Sequence, residues 1–254
     1  MIDIRVLLGG ITIYKAKKGQ SSYGEAIGIL MLDAFTPFIP GDVANASSYN
    51  FPVRFQKVEG FTVKRALEKD PSIFENLLAA SEDLVRNGVR AVTGDCGFMG
   101  IHQRSLARRL DVPVFLSSLL QIPFISRIVG DDKKVGIITA DSRSLDAPLL
   151  AAMGIKRTDN LQIRGLEDKA NFYKAVIEES GTLNPEGIEH EVTSLALQMV
   201  AEEPRLKAIL LECSCLPPYG AAVQEAVNLP VFDYMTMINY VYLSLVKRRF
   251  EGFM

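Results

Sequence analysis

The chain has 254 residues, with 28 Lys and Arg against 30 Asp and Glu, a net charge of −2. That balance argues against a nucleic-acid-binding protein built on a basic face, and 48% hydrophobic against 23% charged residues argues against a disordered chain. Three cysteines are too few for a disulfide scaffold and point to a reducing compartment, and the length fits one large domain or two small ones.

Met1–Lys18 holds a short apolar piece without a basic leader or a small-residue cleavage site, so it reads as part of the mature fold. Gly9-Gly10 lacks the spacing of a dinucleotide fingerprint. No apolar run is long enough to span a membrane, and a cytoplasmic protein is expected. Strand-length runs of Val, Ile and Leu follow: Ala26–Leu32, Val89–Thr93, Val112–Leu116, Val135–Thr139, Leu206–Leu211 and a shorter one ending at Val231-Phe232. Runs without polar alternation suit strands buried on both faces of a parallel sheet.

Helical patterns lie between them. Pro71–Asn87 follows a capping Asp70 and stops at Asn87-Gly88. Gly187–Glu202 carries one apolar stripe, and Tyr234–Arg249 is expected as a last helix with Lys247, Arg248 and Arg249 at its negative end. Shorter helices are expected over Met99–Leu110 and Tyr219–Val227. The fold class is therefore α/β. Thr36–Pro52, rich in Pro, Gly and Asn and carrying Phe38, Tyr49 and Phe51, interrupts the alternation. A loop of that length is expected to be ordered over a cleft, with Asn45 among the substrate-binding residues.

An internal repeat is the strongest signal. Val89–Cys96 (VRAVTGDC) aligns with Leu206–Cys213 (LKAILLEC) at an offset of 117 residues, and the same offset maps Val112–Phe115 onto Leu229–Phe232. Ala26–Leu30 matches Lys134–Ile138 at an offset of 108. Two related halves follow, each with a strand ending in an acid and a cysteine. Ligands of parallel α/β sheets sit beyond the carboxyl ends of the strands, which is where Cys96 and Cys213 fall. If the halves face each other, two thiols flank one cleft, and a thiolate and a thiol on opposite faces of one carbon are what inversion of a stereocentre needs. A helix start after each cysteine would lower the thiol pKa, whereas Asp95 or Glu212 in contact with it would raise it. Free cysteines also serve as small buried hydrophobes, the plainer alternative for each taken singly.

Gly94–Phe98 (GDCGF) and Glu212–Tyr219 (ECSCLPPY) resemble the two cysteine motifs of the aspartate/glutamate/hydantoin racemase superfamily, and the likeness runs through Gly24–Leu32, Val135–Ser142 and Val231–Asp233. The resemblance implies two pseudo-symmetric flavodoxin-like lobes with parallel sheets and the active site between them. The expected lobes are 1–118 plus 233–254, whose C-terminal helix returns to the first half, and 119–232. It implies Cys96 and Cys213 as catalytic thiols and no pyridoxal phosphate, other cofactor or metal. Ser214, Thr139 and Ser142 would hold a carboxylate, Ser117 would do the same or cap a helix, and Gly97 and Phe98 would offer backbone N–H groups. Cys215 is expected to be non-catalytic. The family's amino-acid racemases have Asn-Thr where this chain has Gly97-Phe98, which counts against ordinary aspartate or glutamate as substrate. The expected activity is cofactor-independent racemisation or epimerisation alpha to the carboxylate of a small molecule. An isomerase or decarboxylase of a small dicarboxylate and a non-catalytic binding protein stand as alternatives. No nucleic-acid or membrane partner is expected, and homo-oligomerisation is left open.

Overall fold

A computed structural model describes residues 14–254. The apolar start and Gly9-Gly10 fall outside the described residues, apart from 14–18. The strands are β1 (Ile27–Met31), β2 (Val53–Lys57), β3 (Ala91–Gly94), β4 (Val114–Phe115), β5 (Lys134–Thr139), β6 (Leu161–Gly165), β7 (Leu206–Leu211) and β8 (Val231–Phe232). They form two four-stranded parallel sheets, ordered β2-β1-β3-β4 and β6-β5-β7-β8. Inner strands β1, β3, β5 and β7 are the continuous apolar runs of the sequence, buried along almost their whole length.

Register ties the two sheets to the internal repeat. Gly28 pairs with Val92 and Val92 with Val114 in one sheet, and Gly136 pairs with Ile209 and Ile209 with Val231 in the other. These residues are related by the offsets of 108 and 117 already seen in the sequence. The two glycines share a cause. A Cβ on Gly28 would lie 2.9 Å from Leu84 Cδ1, and one on Gly136 would lie 2.9 Å from Met199 Cε. In each half the bare strand lets a long helix, Phe74–Arg86 or Pro185–Glu202, press its apolar stripe onto the sheet.

Helix boundaries follow local chemistry. The Asp70 carboxylate accepts from the Ser72 N–H, a 3-10 turn over Pro71–Ile73 leads into Phe74–Arg86, and Asn87 closes it before Gly88 at φ +95°. The Asn184 side chain caps the helix Pro185–Glu202. The C-terminal helix, capped by Asp233, runs over Tyr234–Leu245 and stops short of the expected Arg249. Three consecutive exposed cations, Lys247, Arg248 and Arg249, offer no apolar stripe to hold a further turn against the body.

One apolar core joins the facing sides of both sheets, with Leu30, Val92 and Leu116 packed in the same cluster as Val135, Ile137 and Leu210. A second lies behind the first sheet, where Tyr234, Met237 and Ile238 of the C-terminal helix cover Ile27, Ile29, Ala91 and Phe115. The Tyr234 hydroxyl donates to the Leu116 carbonyl at 2.7 Å. Among the described residues no helix is long and apolar enough to cross a membrane.

The segment between β1 and β2 bridges the halves. The Phe35 N–H donates to Glu179 (2.7 Å), Thr36 Oγ1 to the Ala175 carbonyl (3.1 Å) and the Val43 N–H to the Ser214 carbonyl (3.3 Å). Phe51 stacks on Tyr242 of the C-terminal helix at 3.6 Å. The loop is thereby fastened at both ends over the gap between the sheets.

Candidate active site

The carboxyl ends of β3 and β7 meet below that loop. At each end the same backbone bond carries the chain past the strand: the Asp95 N–H donates to Leu30 (2.9 Å) and the Glu212 N–H to Ile138 (2.7 Å). One residue further on, Cys96 and Cys213 enter a shared cavity of about 40 Å³. Its walls are Leu32, Ala34, Val63, Leu67 and Val176 with the rings of Phe38 and Phe98, and its polar edge is Asp95, Ser214, Thr36 and the three cysteines. A cavity of that size accepts only a small molecule.

Of the residues expected here, Cys96, Cys213, Phe98 and Ser214 line the cavity, while Gly97, Ser117, Thr139, Ser142 and Asn45 do not. The hydroxyls expected to hold a carboxylate each have a partner within the protein. Thr139 donates to Glu212 (2.8 Å), Ser142 to Glu167 and Ser214 to the Asp95 carbonyl, while Ser117 Oγ accepts from the Leu119 N–H as a cap (3.3 Å). Asn45 caps a 3-10 turn in the loop through Ser47 and donates to the Phe38 carbonyl (2.9 Å). Gly97 is packed away from the cavity, with its hydrogen where a Cβ would collide with Glu212 Oε1.

Three buried carboxyls surround the thiols, and burial is the first cause of each shift. Asp42 is pushed up to about 7, Asp95 to about 8 and Glu212 to about 7. Hydrogen bonds oppose these shifts without reversing them: Ala44 N–H to Asp42, Leu32 N–H to Asp95 and Thr139 to Glu212. Cys96 is also driven well above the ordinary thiol range, by burial first and then by the charges of Asp95, Cys213 and Glu212. The N–H of Phe98 at the start of the turn pulls the other way and is outweighed, so the helix start does not produce the expected lowering.

These carboxyls bind protons more tightly folded than unfolded, so their contribution to stability is complete below their ordinary values near 4 and is lost as pH rises through 7 and 8. Calorimetry is expected to show the melting temperature falling from about pH 5 to about pH 8, with a shallower fall in Asp95→Asn. A flat or rising profile there would mean that the carboxyls are charged in the fold.

Two further residues stand at the site, Cys215, which sequence reasoning set aside as non-catalytic, and Asp42, which it passed over. Cys215 lines the same cavity, two residues from Cys213, and its thiol is pushed up by its contact with Cys213, by burial and by Asp42. Asp42 is 2% exposed and comes from the bridging loop. The CxC spacing was a signal for the first; nothing in the turn-forming stretch around Gly41 marked the second.

No family model matches the chain. Comparison with characterised proteins gives 30% identity over 222 residues to a dimethylsulfoniopropionate lyase of Durusdinium sp. clade D, covering 85% of this chain and 73% of that one. Dimethylsulfoniopropionate lyase 5 of Emiliania huxleyi is 30% identical over 229 residues, covering 85% of this chain. This chain spans only 45% of that lyase's length. Among solved structures, allantoin racemase of Pseudomonas fluorescens superposes with a TM-score of 0.61 at 17% identity, over 87% of this chain and 91% of its own. The chain belongs to the aspartate/glutamate/hydantoin racemase superfamily. It has the two four-stranded parallel sheets that the cysteine motifs implied.

Proposed function

We propose that the chain is a carbon–sulfur lyase that takes the proton alpha to the carboxylate of a small β-sulfonio acid, with dimethylsulfoniopropionate as the substrate, and expels the neutral sulfide. The observation that carries this reading is the make-up of the cavity: cysteines, aromatic and aliphatic walls, a buried acid and, among the described residues, no Lys or Arg. The lyase names of the relatives point the same way.

The chemistry follows from charge. As the α-carbon loses its proton, the C–H electron pair becomes the new carbon–carbon double bond. The carbon–sulfur bond breaks and its pair returns to sulfur, which leaves as dimethyl sulfide beside acrylate and one proton. A thiolate is the base. Among buried acids it is costly to form, and a bound sulfonium offsets that cost. At ~5 Å and an effective dielectric of about 20, a cation stabilises a thiolate by about 3 kcal/mol, equivalent to about two pKa units. Phe38 and Phe98 suit the sulfonium methyls, because a desolvated cation on an aromatic face gains about 2 kcal/mol. The opposing thiol, kept neutral by burial, donates a hydrogen bond to the charge developing on the substrate.

Incubation with dimethylsulfoniopropionate, with headspace gas chromatography for the sulfide and chromatography for acrylate, is expected to give both in equal amounts. No release at any pH from 6 to 9 would end the lyase reading. Racemisation stands as the second reading because two thiols from repeat-related strands line one cavity. It shares the deprotonation and differs in the fate of the carbanion, so it predicts inversion with deuterium uptake from heavy water in a chiral acid that has no leaving group.

A further inference from the structure

Among the described residues three that are not glycine have a positive φ: Lys69 at 53°, Glu179 at 56° and Asn228 at 51°. Asn tolerates that conformation, whereas for Lys and Glu the Cβ makes it costly, and they persist in it only where something holds them. Each follows the end of a helix, where glycine is the usual residue: Lys69 comes after Val63–Leu67 and Glu179 after the π turn Tyr173–Ile177. Each also sends its side chain to the other half of the molecule. Lys69 Nζ donates to the Ser144 carbonyl (2.9 Å) and pairs with Asp146 (3.0 Å), and Glu179 Oε1 accepts from the Phe35 N–H (2.7 Å). The Lys69 side chain is only 17% exposed.

These contacts stand behind two walls of the cavity. Leu32, Ala34, Thr36 and Phe38 line it in alternation, as one face of an extended segment does, and Phe35 between them turns outward. Glu179 holds this wall to the second half at Phe35, and Thr36 Oγ1 donates to the Ala175 carbonyl (3.1 Å), next to the cavity-lining Val176. A Cβ on Gly181 would collide with the Phe35 ring, so the second half is bare where the wall leans on it. The other wall is Val63 and Leu67, about one turn apart on the short helix that leads into Lys69. We propose that Lys69 and Glu179 are positioning residues, two clasps that hold these walls at the spacing of a dimethylsulfonium group and exclude bulkier acids. Neither residue lines the cavity itself. The dimethylsulfonium group rests on the lyase reading, whereas the spacing of the walls governs access to the thiols in any reaction.

Glycine separates the two roles of these positions, because it ends a helix without strain and leaves the wall unclasped. Glu179→Gly and Lys69→Gly are therefore expected to fold, with melting temperatures close to wild type. In each, KM for dimethylsulfoniopropionate is expected to rise roughly 2-fold to 10-fold, the worth of a hydrogen bond, with a smaller change in kcat. The preference for dimethylsulfoniopropionate over 3-(diethylsulfonio)propionate is expected to fall by a similar factor. Glu179→Gln, which keeps an acceptor for the Phe35 N–H, is expected to retain the wild-type values. Unchanged KM and unchanged preference in either glycine variant would overturn the pair of clasps and leave the lyase reading intact.

If wild type cleaves neither sulfonium acid, the lyase reading fails and the walls are read through the thiols. Iodoacetamide and the bulkier N-phenylmaleimide, followed by peptide mass, give the modification rates of Cys96 and Cys213. Relative to glutathione, wild type is expected to favour the smaller reagent. Both glycine variants are expected to narrow that preference roughly 2-fold to 10-fold, while Glu179→Gln keeps it. A preference equal in wild type and the glycine variants overturns the clasps.

Discussion

Cys213→Ser is expected to lower kcat for sulfonium elimination by ~10²–10⁴, the range for a positioned base. Cys96→Ala is expected to lower it by ~10²–10³, the range for one donor to developing charge. The asymmetry follows from the site. Cys96 is held protonated by burial and by the charges of Asp95, Cys213 and Glu212, which leaves Cys213 as the base. Serine keeps the shape of a residue that is 8% exposed, so a folded Cys213→Ser protein isolates the chemistry from the packing. Steady-state acrylate release gives kcat, and deuterium exchange at the α-carbon separates the two roles. Exchange is expected to vanish in Cys213→Ser. If it persists there and vanishes in Cys96→Ala, the two assignments are the wrong way round. If neither variant loses rate, the thiols are not the machinery.

Removing the substrate's charge is expected to matter as much as removing a thiol. The neutral thioether 3-(methylsulfanyl)propionate has nearly the shape of dimethylsulfoniopropionate and lacks its cation. It loses about 3 kcal/mol of attraction to the ionised acids and thiolate, and about 2 kcal/mol of contact with Phe38 and Phe98. Together these correspond to binding ~10³–10⁴-fold weaker, at about 1.4 kcal/mol per factor of ten. Competition against dimethylsulfoniopropionate measures it, and a thioether binding within tenfold of the substrate would refute the electrostatic account. Asp95, pushed up to about 8, must lose its proton to meet a cation, so sulfonium affinity is expected to rise with pH up to about 8.

The inner architecture was legible because β1, β3, β5 and β7 are buried on both faces and so read as uninterrupted Val, Ile and Leu. The edge strands β2 and β6 were not. Val53-Arg54-Phe55-Gln56-Lys57 and Leu161-Gln162-Ile163-Arg164-Gly165 alternate polar and apolar, as partly solvated edges do, and a search for continuous apolar runs passes over them. The repeat was legible to the residue, since its offsets reappear as strand register. The hydroxyls misled for a different reason. A buried strand end has its own donors and acceptors to satisfy, and Thr139 and Ser142, which lie off the cavity, are engaged in doing so, whereas Ser214 donates to the Asp95 carbonyl while lining the cavity. Asp42 was invisible because what distinguishes it, burial against Cys215, arises from a crossing between halves that no local pattern encodes.

The contact between Gly97 and Glu212 reaches beyond chemistry to inheritance. A turn in one half is hollowed to receive a carboxylate from the other, at the place where a single added methyl group would collide with it. Duplicated halves are often imagined as modules free to be shuffled among paralogues. Here a crossover between positions 97 and 212 can join a side chain from one parent to an acid from the other. A side chain at position 97 therefore requires Glu212 to move or be replaced, whereas position 212 can change while Gly97 stays.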